Sequence, residues 1–375
     1  MITNPFRPGF GVSPFELGGR QVELSTFMYG LFGGVGSMQR ALLVSGSRGV
    51  GKTVLLNEFE RQAREQGWVV VRAYPDAEMI SRLRDSTLPQ AYYDLDQSEP
   101  PRKRTVTGIG ISSLGSVTTQ VEDRDPAPTL LGELRRLAEI AQVHGVGVLI
   151  TLDELQAARI EDLAQLATAM QDLVRDNFDI AFATAGLTFG VEALLEHPGT
   201  TFMRRAQRLE LGGLSDTDVA EALTKTAAAS GREFEEGALL LAVDLVQGYP
   251  FLLQLVGSLA WARSVMAGDT SIKEAHVLAI AEDVKQLMGI QVHKIALKAV
   301  PDGEMEFLRT MAQLETEHGP DVPISLVAAH MGRKPNGISV WRRNLIERDL
   351  VTPPSYGYVR FAMPYMGEYL RSVEM

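Results

Sequence analysis

Residues Gly46-Ser47-Arg48-Gly49-Val50-Gly51-Lys52-Thr53 fit the spacing G-x-x-x-x-G-K-[ST] at every position. The spacing suits a phosphate. Small residues let backbone N–H groups close around an anion at the positive end of the next helix. Lys52 would reach the β- and γ-phosphates, and Thr53 would hold a Mg²⁺ ion. One hundred residues after Thr53, "GVGVLITLDELQ" ends an apolar run on Asp153 and Glu154. Asp153 there would bind the Mg²⁺ through water, and Glu154 would polarise a water attacking the γ-phosphate. An acidic cap on the following helix is the structural alternative for the pair.

These groups need a frame that brings residue 46 beside residue 153. Five apolar runs supply it: "ALLVSG" (41–46), "WVVVRAY" (68–74), "GVGVLITLD" (145–153), "DIAFATAG" (179–186) and "AQRLELGGL" (206–214). They alternate with helical patterns, so a parallel sheet with crossover helices is expected over residues 21–211. Residues 1–20 read as an irregular arm rich in Pro, Gly and Phe. Residues 212–298 read as all-helical, with Ser215 as an N-cap. Residues 299–375 read as three helices followed by a hairpin in "LVTPPSYGYVRFAMP". The stretch 76–128, with few large apolar residues, reads as a surface excursion with a hairpin near Ser113-Leu114-Gly115. Its "PRKR" run (101–104) would either touch a phosphate backbone or stay solvated.

Two further sites carry paired readings. Thr184, in the fourth run, either senses the γ-phosphate or is packed as a β-branched strand residue. Arg204 and Arg205, just ahead of the last run, either reach a neighbouring subunit's nucleotide as a finger or sit as a charge pair at a helix end.

Composition sets outer bounds. The 375 residues hold 45% hydrophobic and 22% charged residues, and no cysteine, which removes disulfides and thiolate metal sites. The net charge of −11 argues against a surface coated in basic residues. No leader-like or membrane-spanning run is evident, so a cytoplasmic location is expected and no membrane partner.

"GGR" at 18–20, the loop at 46–53, "LDELQ" at 152–156, Thr184 and the all-helical segment together resemble the AAA+ and STAND branch of P-loop ATPases. The resemblance is to archaeal origin-recognition-type initiator ATPases and their bacterial relatives. It implies an α/β P-loop NTPase fold, an AAA+ ASCE-type parallel five-stranded sheet with a helical lid and a C-terminal winged helix. It also implies ATP or ADP with Mg²⁺, a nucleotide-dependent homo-oligomer, and Gly19 and Arg20 close to the adenine. An initiator is expected to carry a lid arginine touching the γ-phosphate. This lid instead has Gly248-Tyr249-Pro250, similar to the Gly-x-Pro element of STAND ATPases, which would place Pro250 near the base. Proline is also a common first residue of a helix. The missing lid arginine leads to an expectation of slow turnover.

The C-terminal section resembles a winged helix, with its third helix over 336–348. Residues 331–348 hold five basic residues (Arg333, Lys334, Arg342, Arg343, Arg348) against one acid, Glu347, and Arg360 follows on the wing. Such a patch suits DNA, with Arg333, Lys334, Arg342, Arg343 and Arg360 as contacts. Against DNA, residues 301–375 as a whole hold eight Lys/Arg and ten Asp/Glu, and a protein partner is the alternative. The leading expectation is an ATPase whose nucleotide state controls assembly and DNA engagement. The alternatives are a STAND-like switch with a protein partner, or an ATPase subunit of a defence or transposition system.

Overall fold

A computed structural model describes residues 3–9, 12–96 and 128–373, with residues 201 and 202 as backbone only. The "PRKR" run and the hairpin expected at 113–115 lie outside the described residues. After helix α1 (Gln21–Phe32) come β1 (Ala41–Gly46), α2 (Lys52–Glu65) and β2 (Val69–Ala73). Next are α3 (Met79–Arg82), a π-turn (Leu83–Thr87), α4 (Leu88–Leu95), α5 (Leu130–Val143) and β3 (Val148–Leu152). Then α6 (Ile160–Arg175), β4 (Ile180–Gly186), α7 (Thr188–Glu196) and β5 (Gln207–Leu211) complete an α/β unit.

The five strands are parallel, in the order β2-β3-β4-β1-β5, so each expected apolar run is a strand of one sheet. Alternation along β1 shows why helices cover both faces. Leu42 and Val44 join α1 and α2 on one side, where the Phe27 and Phe59 rings stack 4.4 Å apart. Leu43 faces the other side with residues of α3 to α7. Residues 79–95 correct the reading of that stretch as a surface excursion. Met79, Leu83, Leu88 and Tyr92 are fully buried at helical spacing, and this four-residue stripe was masked by the polar tract that follows it.

The lid runs through α8 (Asp216–Ala228), β6 (Glu233–Phe234), α9 (Glu236–Val246) and α10 (Pro250–Met266). It continues with β7 (Ser271–Ile272), α11 (Glu274–Leu278), α12 (Ala281–Met288), a π-turn (Gly289–His293) and α13 (Lys294–Leu297). Ser215 caps α8 with a full capping box, as its sequence suggested. The lid is not purely helical: β6 and β7 pair in parallel, in two-residue strands too short for periodicity to reveal.

The C-terminal section holds α14 (Asp302–His318), β8 (Val322–Pro323), α15 (Ile324–His330) and α16 (Ser339–Glu347). Then come β9 (Val351–Thr352), β10 (Tyr358–Phe361) and α17 (Met366–Val373). An antiparallel sheet β8-β10-β9 backs the helices. The third helix starts later than expected, because Pro335–Gly337 form a 3₁₀ turn first.

Lid and C-terminal section share one apolar core, running from Val219 to Leu370. Tyr365 donates its hydroxyl to Leu245 O at 2.8 Å, and Lys285 pairs with Glu368 at 2.8 Å. The arm belongs to the same body. Phe6 is buried against α10, where Gly257 leaves room: a Cβ there would lie 2.3 Å from the ring. Asn4 Nδ2 donates to Ser258 O at 3.1 Å, and Arg7 N–H donates to Gln254 Oε1 at 2.9 Å.

Candidate functional site

The β1 end and the α2 start place the glycine loop at the carboxyl edge of the sheet, beside the end of β3. α2 is pinned there by Glu60, which is buried and accepts from Arg72 Nε at 2.8 Å and from Thr151 Oγ1 at 2.7 Å. Gly51 caps α2 in a left-handed conformation, φ 96°, which leaves the first N–H groups of the helix facing the loop's concave side. Thr53 Oγ1 donates to Asp153 Oδ2 at 2.6 Å. The two residues that the sequence assigned to one cation, 100 positions apart, are therefore adjacent.

Lys52 is buried, and its Nζ folds back to donate to Gly46 O and Ser47 O, both at 2.8 Å. Burial pushes the Lys52 ammonium below its ordinary pKa, while Glu154, Asp349 and Asp153 pull it back up. Asp153 is shifted upward, chiefly by burial, and the Thr53 hydroxyl and Glu154 N–H oppose the shift. Glu154 is exposed, in a left-handed conformation with φ 51°. Gln156 donates to its carboxylate and, through Oε1, accepts the Leu187 N–H at 3.0 Å. Gln156 thereby sets the position of Glu154, a role without a local sequence signal.

A cavity of about 580 Å³ opens between loop, arm and lid. Arg20, Arg48–Val54, Glu154 and Pro250 line it, as does Arg7 from the arm. Arg20 is buried and donates to Val50 O at 3.1 Å and Gly212 O at 2.7 Å, tying the loop to the start of the lid. Gly19, with φ 64°, presses against Asp218 of α8. Among the described residues, no lid arginine lines the cavity: Arg232 is held by Ser264 and Trp261, and Arg263 by Asp283.

Other expected residues lie elsewhere. Thr184 is fully buried and donates at 3.0 Å to the carbonyl of Leu152, its registered partner on β3. Arg204 donates to Leu195 O at 2.9 Å, at the end of α7. Arg205 borders a second cavity of about 400 Å³ with Arg40 and Ile180, at the amino edge of the sheet. The six-residue strand β1 separates that edge from the glycine loop, roughly 20 Å. Arg205 therefore does not reach the glycine loop of its own chain.

On the C-terminal section, Arg333 stacks on Trp341 at 4.5 Å, and Arg343 is exposed with Glu347 at 3.8 Å. Lys334 is exposed and Arg342 half-buried. Arg360 is held by Asp321 through two hydrogen bonds, 2.6 and 2.8 Å, and Arg348 by Glu304 and Ala299 O.

The loop has two partners that the sequence did not announce. Tyr249 donates its hydroxyl to Arg48 O at 2.9 Å, and only a glycine at 49 leaves space for the ring: a Cβ would lie 2.0 Å from that oxygen. The carboxylate of Asp349, from the C-terminal section, accepts the Arg48 N–H and the Ser47 hydroxyl. That carboxylate shows that the loop's donors fit an anion.

No helix among the described residues is long and apolar enough to cross a membrane. Residues 16–180 match the AAA ATPase domain family, and residues 290–370 match a domain of unknown function, DUF8462. A comparison with curated proteins gave no match. Among solved structures, the chain is similar to the ORC2 protein of Aeropyrum pernix in ADPNP–ADP complexes. The TM-score is 0.64 at 18% identity, covering 98% of this chain and 96% of that one. It is also similar to the Walker-type ATPase paby2304 of Pyrococcus abyssi, with TM-score 0.65 at 17% identity, covering 95% and 96%. The first AAA match runs from the arm to the start of β4, and the fold likeness extends over nearly the whole chain. Residues 16–180 thus resemble the AAA ATPase domain, and the chain shares its P-loop AAA+ fold with the ORC2 protein of Aeropyrum pernix.

Proposed function

We propose that the chain binds and slowly hydrolyses ATP at the glycine loop, and that nucleotide state controls self-assembly and DNA engagement by its C-terminal section. The observation that carries this reading is the Thr53–Asp153 hydrogen bond at 2.6 Å beside buried Lys52, with Glu154 at the cavity mouth. Thr53 and Asp153 would hold Mg²⁺, which when bound offsets phosphate charge. The Ser47–Lys52 N–H groups cradle phosphate oxygens, and Lys52 turns its ammonium toward them. Glu154, held by Gln156, orients a water and takes its proton. Gly19, Arg20 and Pro250 border the space left for the base. The absence of a lid arginine from the lining supports slow turnover.

In this reading residues 1–20 are an arm, 21–211 the core, 212–298 the lid and 299–375 a winged helix. Arg333, Lys334, Arg342 and Arg343 form its basic face, and Arg205 acts on a neighbouring copy. Turnover measured across protein concentrations tests the assignment. Glu154→Gln should keep Mg-ATP bound while turnover falls about a hundredfold. Arg205→Ala should remove any rise of specific activity with concentration. Unchanged turnover in Glu154→Gln would refute the catalytic reading, and full activity of the isolated monomer would refute the finger.

One observation favours a second reading, a switch with a protein partner: the C-terminal section rests on the glycine loop itself. The salt dependence of DNA binding separates the two readings.

A further inference from the structure

Asp349 follows α16 at the position where helices commonly end on a left-handed glycine. Its φ is 59°, its N–H closes on Ile346 O at 2.9 Å, and the Leu350 N–H closes on Leu345 O at 2.9 Å. The turn is therefore fixed, and a carboxylate stands where a bare Cα would serve the backbone better. That carboxylate reaches across 301 positions of sequence to the Arg48 N–H, and it also takes the Ser47 hydroxyl. Lys52 and Arg48 attract it electrostatically. Tyr249, from the lid, holds the same loop residue through its carbonyl.

We propose that Asp349 is a built-in occupant of the phosphate loop, so that the C-terminal section and a nucleotide's phosphates compete for the same donors. This deepens the ATP-binding reading and rests on it. The Arg48 N–H serves one acceptor at a time, and two anions within a few ångströms repel each other. Binding of phosphates therefore expels Asp349, and with it the corner between α16 and β9. Because arm, lid and C-terminal section share one core, they turn as a body about two connections, Leu211–Ser215 and the segment ahead of α1.

The contact is built to yield. Burial pushes the Asp349 carboxyl above its ordinary range, and the Arg48 N–H, Ser47 hydroxyl and Lys52 only partly draw it back. A single carboxylate with two oxygens is thus an incompletely compensated ligand. A di- or triphosphate brings more charge and more acceptors to the same donors. Apparent nucleotide affinity is lowered by the fraction of molecules that are closed. By reciprocity, a partner that takes the freed end of α16 tightens nucleotide binding by the same factor.

The test uses the full chain and fluorescent mant-ADP with Mg²⁺. Asp349→Gly and Asp349→Asn both tolerate the left-handed backbone, so both keep the turn while removing the charge. Each should bind mant-ADP about ten- to a hundredfold more tightly than the parent, the range expected for one charged hydrogen-bonded competitor. The chain has no cysteine, so labels at Gln66→Cys and Tyr356→Cys report the distance between α2 and the β9–β10 turn. That distance should lengthen on adding ADP to the parent, and should already be long in both Asp349 variants without nucleotide. Equal affinity in parent and variants, or a distance that ADP leaves unchanged, overturns the competition while the ATP-binding reading stands. Failure of parent and variants alike to bind mant-ADP overturns both.

Discussion

Acid should loosen the joint between lid and C-terminal section through one residue, His293. It sits in the π-turn after α12 and is fully buried; its Nε2 lies 2.9 Å from Pro364 O, and the Tyr369 ring is 5.3 Å away. A carbonyl can only accept, so Nε2 carries the proton and Nδ1 presents a lone pair, which has no partner among the described residues. Protonating Nδ1 would place a charge in an apolar joint without an acceptor. Burial therefore pushes the imidazole down to about 4 from the ordinary 6.5, with the Pro364 bond opposing. The folded value lies below the unfolded one, so this stability is fully present above pH 6.5 and is lost as pH falls toward 4. At about 1.4 kcal/mol per unit, the loss is about 2 kcal/mol by pH 5 and about 3 kcal/mol once both forms are protonated. Urea unfolding followed by the emission of Trp261 and Trp341, at pH 7.5 and pH 5, reads it directly. His293→Gln keeps a donor for Pro364 O but cannot titrate, so its difference between the two pH values should be smaller by about 2 kcal/mol. Identical pH differences in the parent and His293→Gln would refute the assignment.

Two other outcomes concern the surfaces on either side of that joint. If DNA is the partner of α16, the logarithm of affinity should fall with the logarithm of salt concentration, and Arg342→Ala with Arg343→Ala should flatten that slope by about two. Arg360→Ala should change it less, because Asp321 already holds that guanidinium; a salt-independent affinity would count for the protein-partner reading instead. Phe6→Ala should release the arm from α10 and cost about 3 kcal/mol, seen as a lower thermal midpoint and earlier proteolysis ahead of α1. An unchanged midpoint would mean that the arm contributes nothing to the lid.

The sequence alone determined the frame and the chemistry at its centre. Five mostly apolar runs read as strands, and Gly46–Thr53 as a loop for an anion, because each reading depends on residues adjacent along the chain. Asp153 was legible because it closes an apolar run in a chain that already has such a loop. Residues 79–95 were less legible, since their four buried positions border a tract poor in apolar residues. The tertiary structure decided which polar groups already have partners within the chain. Thr184 spends its hydroxyl on Leu152 O, Arg360 its guanidinium on Asp321, and Arg204 its Nε on Leu195 O. It also decided what touches the loop from outside: Tyr249 from 201 positions away and Asp349 from 301. No periodicity marks such contacts. A side chain's partner is set by whichever surface packing brings within about 3 Å, and that depends on the whole fold rather than on its neighbours in sequence.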